Sequence, residues 1–127
     1  MNQDEIMENL VCSLLAVNNY SLEKAWGLRQ GLREELLLDV GFLKKASHDT
    51  LFERLKKAGY DKSDYVVGLV ADRLHNLGKA LDEKTLRALV DTVEKRDEGK
   101  MEEILLPVKG IGPVVLRNFA GLCGVVV

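Results

Sequence analysis

The sequence predicts an all-α fold, one compact orthogonal bundle of about seven or eight helices over residues 1–127 that closes on two helices joined by a tight turn. Three observations predict it. Apolar residues recur at steps of three and four through most of the chain, the spacing that gathers them on one side of a helix. No stretch alternates polar and apolar residues for long enough to make a strand. Only two prolines occur, while Ala, Leu, Glu, Lys and Arg, all good helix formers, recur throughout.

Taken in order, residues 3–17 carry Ile6, Met7, Leu10, Val11, Leu14 and Leu15 as one apolar stripe. Asn18-Asn19-Tyr20 breaks that pattern. Ser21 is placed to cap a helix bearing Leu22, Ala25, Trp26 and Leu28, which Gly31 would end. Residues 32–46 are apolar in clusters interrupted by Gly41, which fits one broken helix or two short ones. Ser47 or Asp49 caps a helix through Leu51, Phe52, Leu55 and Ala58, and Gly59 stops it. Asp61 is expected to cap the clearest helix, residues 62–77, with Val66, Val67, Leu69, Val70 and Leu74 inward and Gly78 at its end. Asp82 opens another, through Leu86, Leu89, Val90 and Val93. A polar turn at residues 96–100 leads to the final pair, residues 101–108 and 113–123. No internal repeat or linker divides the chain.

Composition narrows the function. With 46% apolar and 30% charged residues among 127, the chain can bury one substantial core. No apolar run nears the roughly 18 residues of a membrane span. Met1-Asn2-Gln3-Asp4-Glu5 puts no basic region ahead of an apolar stretch, so no secretory signal is expected and the expected compartment is the cytoplasm. The formal net charge of −2 lacks the basic excess of a protein that wraps DNA broadly, so any DNA contact should be local. The stretch from Lys44 to Lys62 holds six basic residues against three acidic ones, either a solvated helix face or a phosphate track. Cys12 and Cys123 are too few and too distant for a ligand cluster and read as buried thiols. His48 and His75 lack the helical spacing to a second ligand that a metal site needs. No metal and no cofactor are expected.

The chemistry-bearing stretch runs from Leu105 to Gly121: Leu-Leu-Pro-Val-Lys-Gly-Ile-Gly-Pro-Val-Val-Leu-Arg-Asn-Phe-Ala-Gly. Gly110 and Gly112 flank Ile111 and permit a very tight reversal, because glycine reaches positive φ without steric cost. Pro113 suits a first helical position, where its missing amide costs nothing. The amides of Gly110, Gly112 and Val114 should then converge at a helix N-terminus, where an anion is favoured. Ile111 should turn inward and pin the two helices together.

This string resembles the helix-hairpin-helix motif, whose members hold a DNA backbone phosphate with the hairpin amides. The resemblance extends further. Leu14-Leu15-Ala16-Val17-Asn18-Asn19 with Leu22-Glu23-Lys24-Ala25 is similar to the early helix pair of the endonuclease III-like DNA glycosylases. Leu55-Lys56-Lys57-Ala58-Gly59-Tyr60 and the helix after it are similar to that family's middle. The likeness covers nearly the whole chain, in consistent order and with low identity. It implies the six-helix, hairpin-bearing part of that fold, whose members remove damaged or mismatched bases, and double-stranded DNA as the partner. It also implies that Lys109, Gly110, Ile111, Gly112, Val114 and Arg117 would be the DNA-binding residues. Asn18 stands where the family places a polar residue that fills the gap left by a flipped base. A helix-capping asparagine is its plainer role.

The departures bear on catalysis. Lyase-active members place a Schiff-base lysine two residues after the second hairpin glycine, and here that position is Val114, which has no amine. The family's aspartate, about 20 residues past the hairpin, and its four-cysteine iron–sulfur loop would fall beyond Val127, so a truncated product of a longer sequence is expected. Gly124-Val125-Val126-Val127 resembles the lead-in to that segment. The polar Ser-Lys-Ala usual before the long middle helix is here Ser63-Asp64-Tyr65, one basic residue fewer.

Three functions follow: a DNA-binding domain incomplete for catalysis, a monofunctional glycosylase using another acid, or a helical interaction module that has lost DNA binding. Glu102 and Glu103 lie near the hairpin in sequence but read as solvated first-turn charges. No catalytic residue is assigned.

Overall fold

A computed structural model of the chain describes residues 1–125 and is all-α; nine helices and no strand occur among these residues. Six of the nine are seven residues or longer. They are α1 Gln3–Leu15, α2 Leu22–Gly27, α3 Arg29–Glu34, α4 Val40–Lys45, α5 His48–Lys57, α6 Asp64–Ala80, α7 Glu83–Glu94, α8 Glu98–Leu105 and α9 Pro113–Leu122. The count exceeds the expected seven or eight because the segment at 22–46 divides into three short helices. Val126 and Val127, part of the expected lead-in, lie outside the described residues.

α1 is the axis of the bundle. Asn2 opens it with a capping box, its side chain accepting from Glu5 N while Glu5 reaches back to Asn2 N. From Ile6 onward the helix is covered on nearly every side, by α2, α6, α7 and α9. Its buried polar groups are satisfied: Ser13 Oγ donates to Asn9 O at 2.7 Å, and Asn9 Nδ2 donates to Cys123 Sγ at 3.4 Å. That last bond ties the end of α9 to the core.

α6 packs against α4 and α5. Gly78 does not end α6, as the sequence suggested, but is buried inside it. A Cβ there would sit 2.5 Å from Lys44 N, so glycine allows the end of α4 to rest on α6. Gly31 likewise lies within α3, where a Cβ would come 2.6 Å from Ala58 O. Both are close-approach sites rather than stops.

The cap of α6 is Ser63, whose hydroxyl accepts from Val66 N, and not Asp61. The cause lies at the end of α5. Gly59 N bonds Lys56 O and Tyr60 N bonds Leu55 O, a Schellman closure that draws Tyr60 into the core. Tyr60 is 1% exposed, donates its hydroxyl to Leu15 O at 2.9 Å and meets the Tyr20 ring edge-on. Residues 61–62 are spent returning to the surface, so the next helix starts later.

Candidate nucleic-acid interface

α8 begins at Glu98, capped by Asp97 three residues before the expected start. It ends at Leu105, and Leu106 is its C-cap. Val108 N then bonds Leu105 O and Ile111 N bonds Val108 O, two successive tight turns that reverse the chain. Ile111 is 5% exposed and Val108 8%, so both pin the reversal to the core as the sequence predicts for Ile111.

The two glycines do different work. Gly110 has φ +103°, and a Cβ there would meet Arg73 Cγ at 2.7 Å. Gly112 has φ −103° and ψ −174°, ordinary extended backbone, and a Cβ on it would meet nothing within 4 Å. The expectation of positive φ at Gly112 is therefore corrected: one left-handed residue suffices, because the double turn already reverses the chain. Gly112 is instead the N-cap of α9, with Pro113 as its first helical residue. Its carbonyl accepts from Leu116 N, but it brings no capping side chain. Among the described residues, the amides of Gly110, Gly112 and Val114 have no backbone acceptor. Val114 is 60% exposed, and Lys109 and Pro113 beside it are exposed too.

A groove lies on each side of this turn. One, of about 610 Å³, is lined by Arg73, His75, Asn76 and Lys79 of α6 with Lys109 and Gly110 of the turn. The other lies between α8 and α9, where Met101, Leu106, Leu116, Ala120 and Val125 supply an apolar floor and Glu98, Glu102 and Arg117 a charged rim. Lys109 and Arg117, both expected among the DNA-binding residues, thus line different grooves. Asn18 lines neither. It is exposed in the α1–α2 turn with φ +52°, and the C-cap of α1 is Ala16 rather than Asn18.

Sequence reasoning missed Arg73, His75 and Lys79. Their i, i+2 and i+6 spacing carries no motif, and only the return of residue 110 onto α6 makes them neighbours of the turn. His75 Nδ1 donates to Leu43 O at 3.1 Å, which closes the end of α4. Asp72, also in that groove, lies 3.5 Å from His48 Nε2. His48 is raised above its ordinary pKa, first by its bond to Gly68 O at 3.0 Å and then by Asp72 and Asp49.

No family profile, curated protein or solved structure matches the chain.

The thiols are poor nucleophiles. Burial pushes Cys12 up to about 12 and Cys123 up to about 11. Cys12 is fully buried, whereas Cys123 is only partly so. Among the described residues, no group of three or more His, Cys, Asp or Glu could hold a metal ion, and no helix is long and apolar enough to cross a membrane. Glu102 and Glu103 are exposed on α8 but are not first-turn charges: the helix starts at Glu98, which is its first-turn acid, and the two lie in its second half.

Proposed function

We propose that this chain is a DNA-binding domain that grips a backbone phosphate of double-stranded DNA through the amides of its hairpin. One observation carries the reading. The chain reverses at Gly110-Ile111-Gly112 so that the α9 amides are left open beside Lys109, in a segment anchored from beneath by Ile111. An N-terminal helix end of this kind favours an anion through its dipole and its free donors. Gly112 leaves the approach to those donors clear, since it has no side chain where a Cβ would point into open space.

Such a contact positions DNA without reading its sequence. The domain would therefore bind duplexes of different sequence alike. The position of the family's lysine is Val114, which forms no Schiff base. A glycosylase assay on a panel of lesion-containing duplexes tests the alternative, a monofunctional glycosylase with another acid; base release from any of them would establish it.

The apolar groove between α8 and α9 favours a second reading, a helical protein-interaction module. Fluorescence anisotropy with duplex DNA at low salt separates the two. Binding that Gly112→Arg weakens by about tenfold or more supports the phosphate grip, and no binding by the native chain gives the interaction module precedence.

A further inference from the structure

We infer that the groove between α6 and the hairpin turn is a second phosphate subsite, which takes the DNA backbone phosphates flanking the one held by the hairpin amides. This rests on the reading of the hairpin as a phosphate grip.

The groove gathers three cations beside the turn. Arg29 and Arg33 pair with Glu8, Arg54 with Glu35, Lys56 with Asp64, Arg87 with Glu83, Lys95 with Asp91 and Lys100 with Glu103. Eleven of the 18 lysines and arginines have no ion-pair partner among the described residues, and three of these, Arg73, Lys79 and Lys109, line this one groove. Lys79 sits in the last turn of α6, where the helix dipole alone would favour a cation. Arg73, mid-helix, and Lys109, in a turn, have no such local reason to be there.

Geometry couples the groove to the hairpin. The stem of Arg73 runs directly beneath Gly110, close enough that a Cβ on Gly110 would overlap its Cγ. The guanidinium therefore starts from the floor of the same turn that exposes the amides. Its planar fork suits a phosphate oxygen pair, and Lys109 and Lys79 supply point charges on either side. Asp72, the carboxylate in the groove, lies 3.5 Å from His48 Nε2, which offsets its charge when the imidazole is protonated, and Asn76 adds a neutral amide. No Phe, Tyr or Trp lines the groove, and its one aromatic ring, the His75 imidazole, is tied through Nδ1 to Leu43 O. What it offers is donors and positive charge, the chemistry of a sugar–phosphate strand.

The test is the salt dependence of duplex binding by anisotropy. Each phosphate neutralised contributes about −0.9 to the slope of log K against log salt. Three cations give about −2.7 for the native chain. Arg73→Gln with Lys79→Gln should bring the slope to about −1 and weaken binding by about eightfold per lost contact at 0.1 M salt. Glutamine keeps the carbon stem that supports Gly110, and Arg73→Lys with Lys79→Arg, which keeps both charges, should retain the native slope. Lys84→Gln on α7, outside the groove, should leave the slope unchanged. If Gly112→Arg weakens binding by about tenfold or more while the glutamine pair leaves slope and affinity native, the hairpin reading stands and the subsite is wrong. If the native chain does not bind duplex at all, both fall.

Discussion

Gly110 and Gly112 look equivalent in the sequence, and substitution should separate them. An alanine at Gly110 must hold φ near +103° and push its Cβ into the Arg73 stem at 2.7 Å. The backbone cost is about 1–2 kcal/mol. The clash adds less, because the Arg73 side chain can shift. At Gly112 the backbone is extended and the Cβ is free, so Gly112→Arg should change stability by no more than about 0.5 kcal/mol. Any loss of its capping preference is offset in part by the reduced freedom of the unfolded chain. For DNA the order inverts. An arginine at Gly112 stands over the amides of Val114 and its own residue and should remove at least one charge-assisted hydrogen bond, worth about 1.5–3 kcal/mol, or about ten- to a hundredfold in Kd. A purely electrostatic view predicts tighter binding, because the change adds a positive charge. Urea unfolding of Gly110→Ala and Gly112→Arg, alongside anisotropy on the same samples, reads both scales. A Gly112→Arg protein that is fully folded and binds duplex as well as the native chain would refute the phosphate grip.

Other outcomes follow from the same structure. Ser63→Ala should lower stability by about 1 kcal/mol through loss of the α6 cap, while Asp61→Ala should be near neutral, as denaturant midpoints will show. Tyr60 is held neutral in the fold, burial pushing it from 10.0 up to about 12. Its contribution is complete below pH 10 and is lost as pH rises towards about 12, because the unfolded phenol ionises first. Native stability should therefore fall between those limits more steeply than that of Tyr60→Phe, and a parallel decline would contradict the assignment. Incubation with abasic-site duplex and borohydride should trap no covalent adduct at the hairpin. An adduct mapped by mass spectrometry to Lys109 would overturn the argument from Val114.

Much of this fold is written in short-range chemistry. Ser21 and Asp82 cap helices where the sequence places them, and Ser47 takes the start that the sequence left between it and Asp49, since a cap needs only a hydroxyl or carboxylate three residues before a free amide. Asp61 misled because two polar residues compete for one helix start, and the choice is made by Tyr60, whose hydroxyl bonds a carbonyl 45 residues away. Gly31 and Gly78 misled for a related reason. A glycine read locally is a stop, but each of these is glycine because a distant backbone leans on it. The hairpin turn was legible down to the buried Ile111, as its determinants lie within a few residues. The groove beside it was not: Arg73 and Lys79 join Lys109 only through tertiary packing.

Charge placement bears on how a chain of net charge −2 could hold a polyanion. The basic stretch from Lys44 to Lys62 looked like a possible phosphate track, yet most of it has a local structural use. Lys44 and Lys45 occupy the last turn of α4, and Arg54, Lys56 and Lys57 that of α5, where the helix dipole favours cations. Arg54 is also placed over the Phe42 ring with Glu35 nearby, and Lys56 lies over Phe52 and pairs with Asp64. Charges already offset in this way add little to the field felt by an approaching strand. Arg73 and Lys109 have no such offset, and they lie where the hairpin exposes its donors. Net charge is therefore a poor guide for a local grip. On the proposed reading, what decides it is whether unpaired cations and free amides share one surface, and Arg73, Lys109 and the Gly110 amide are the groups that would do so.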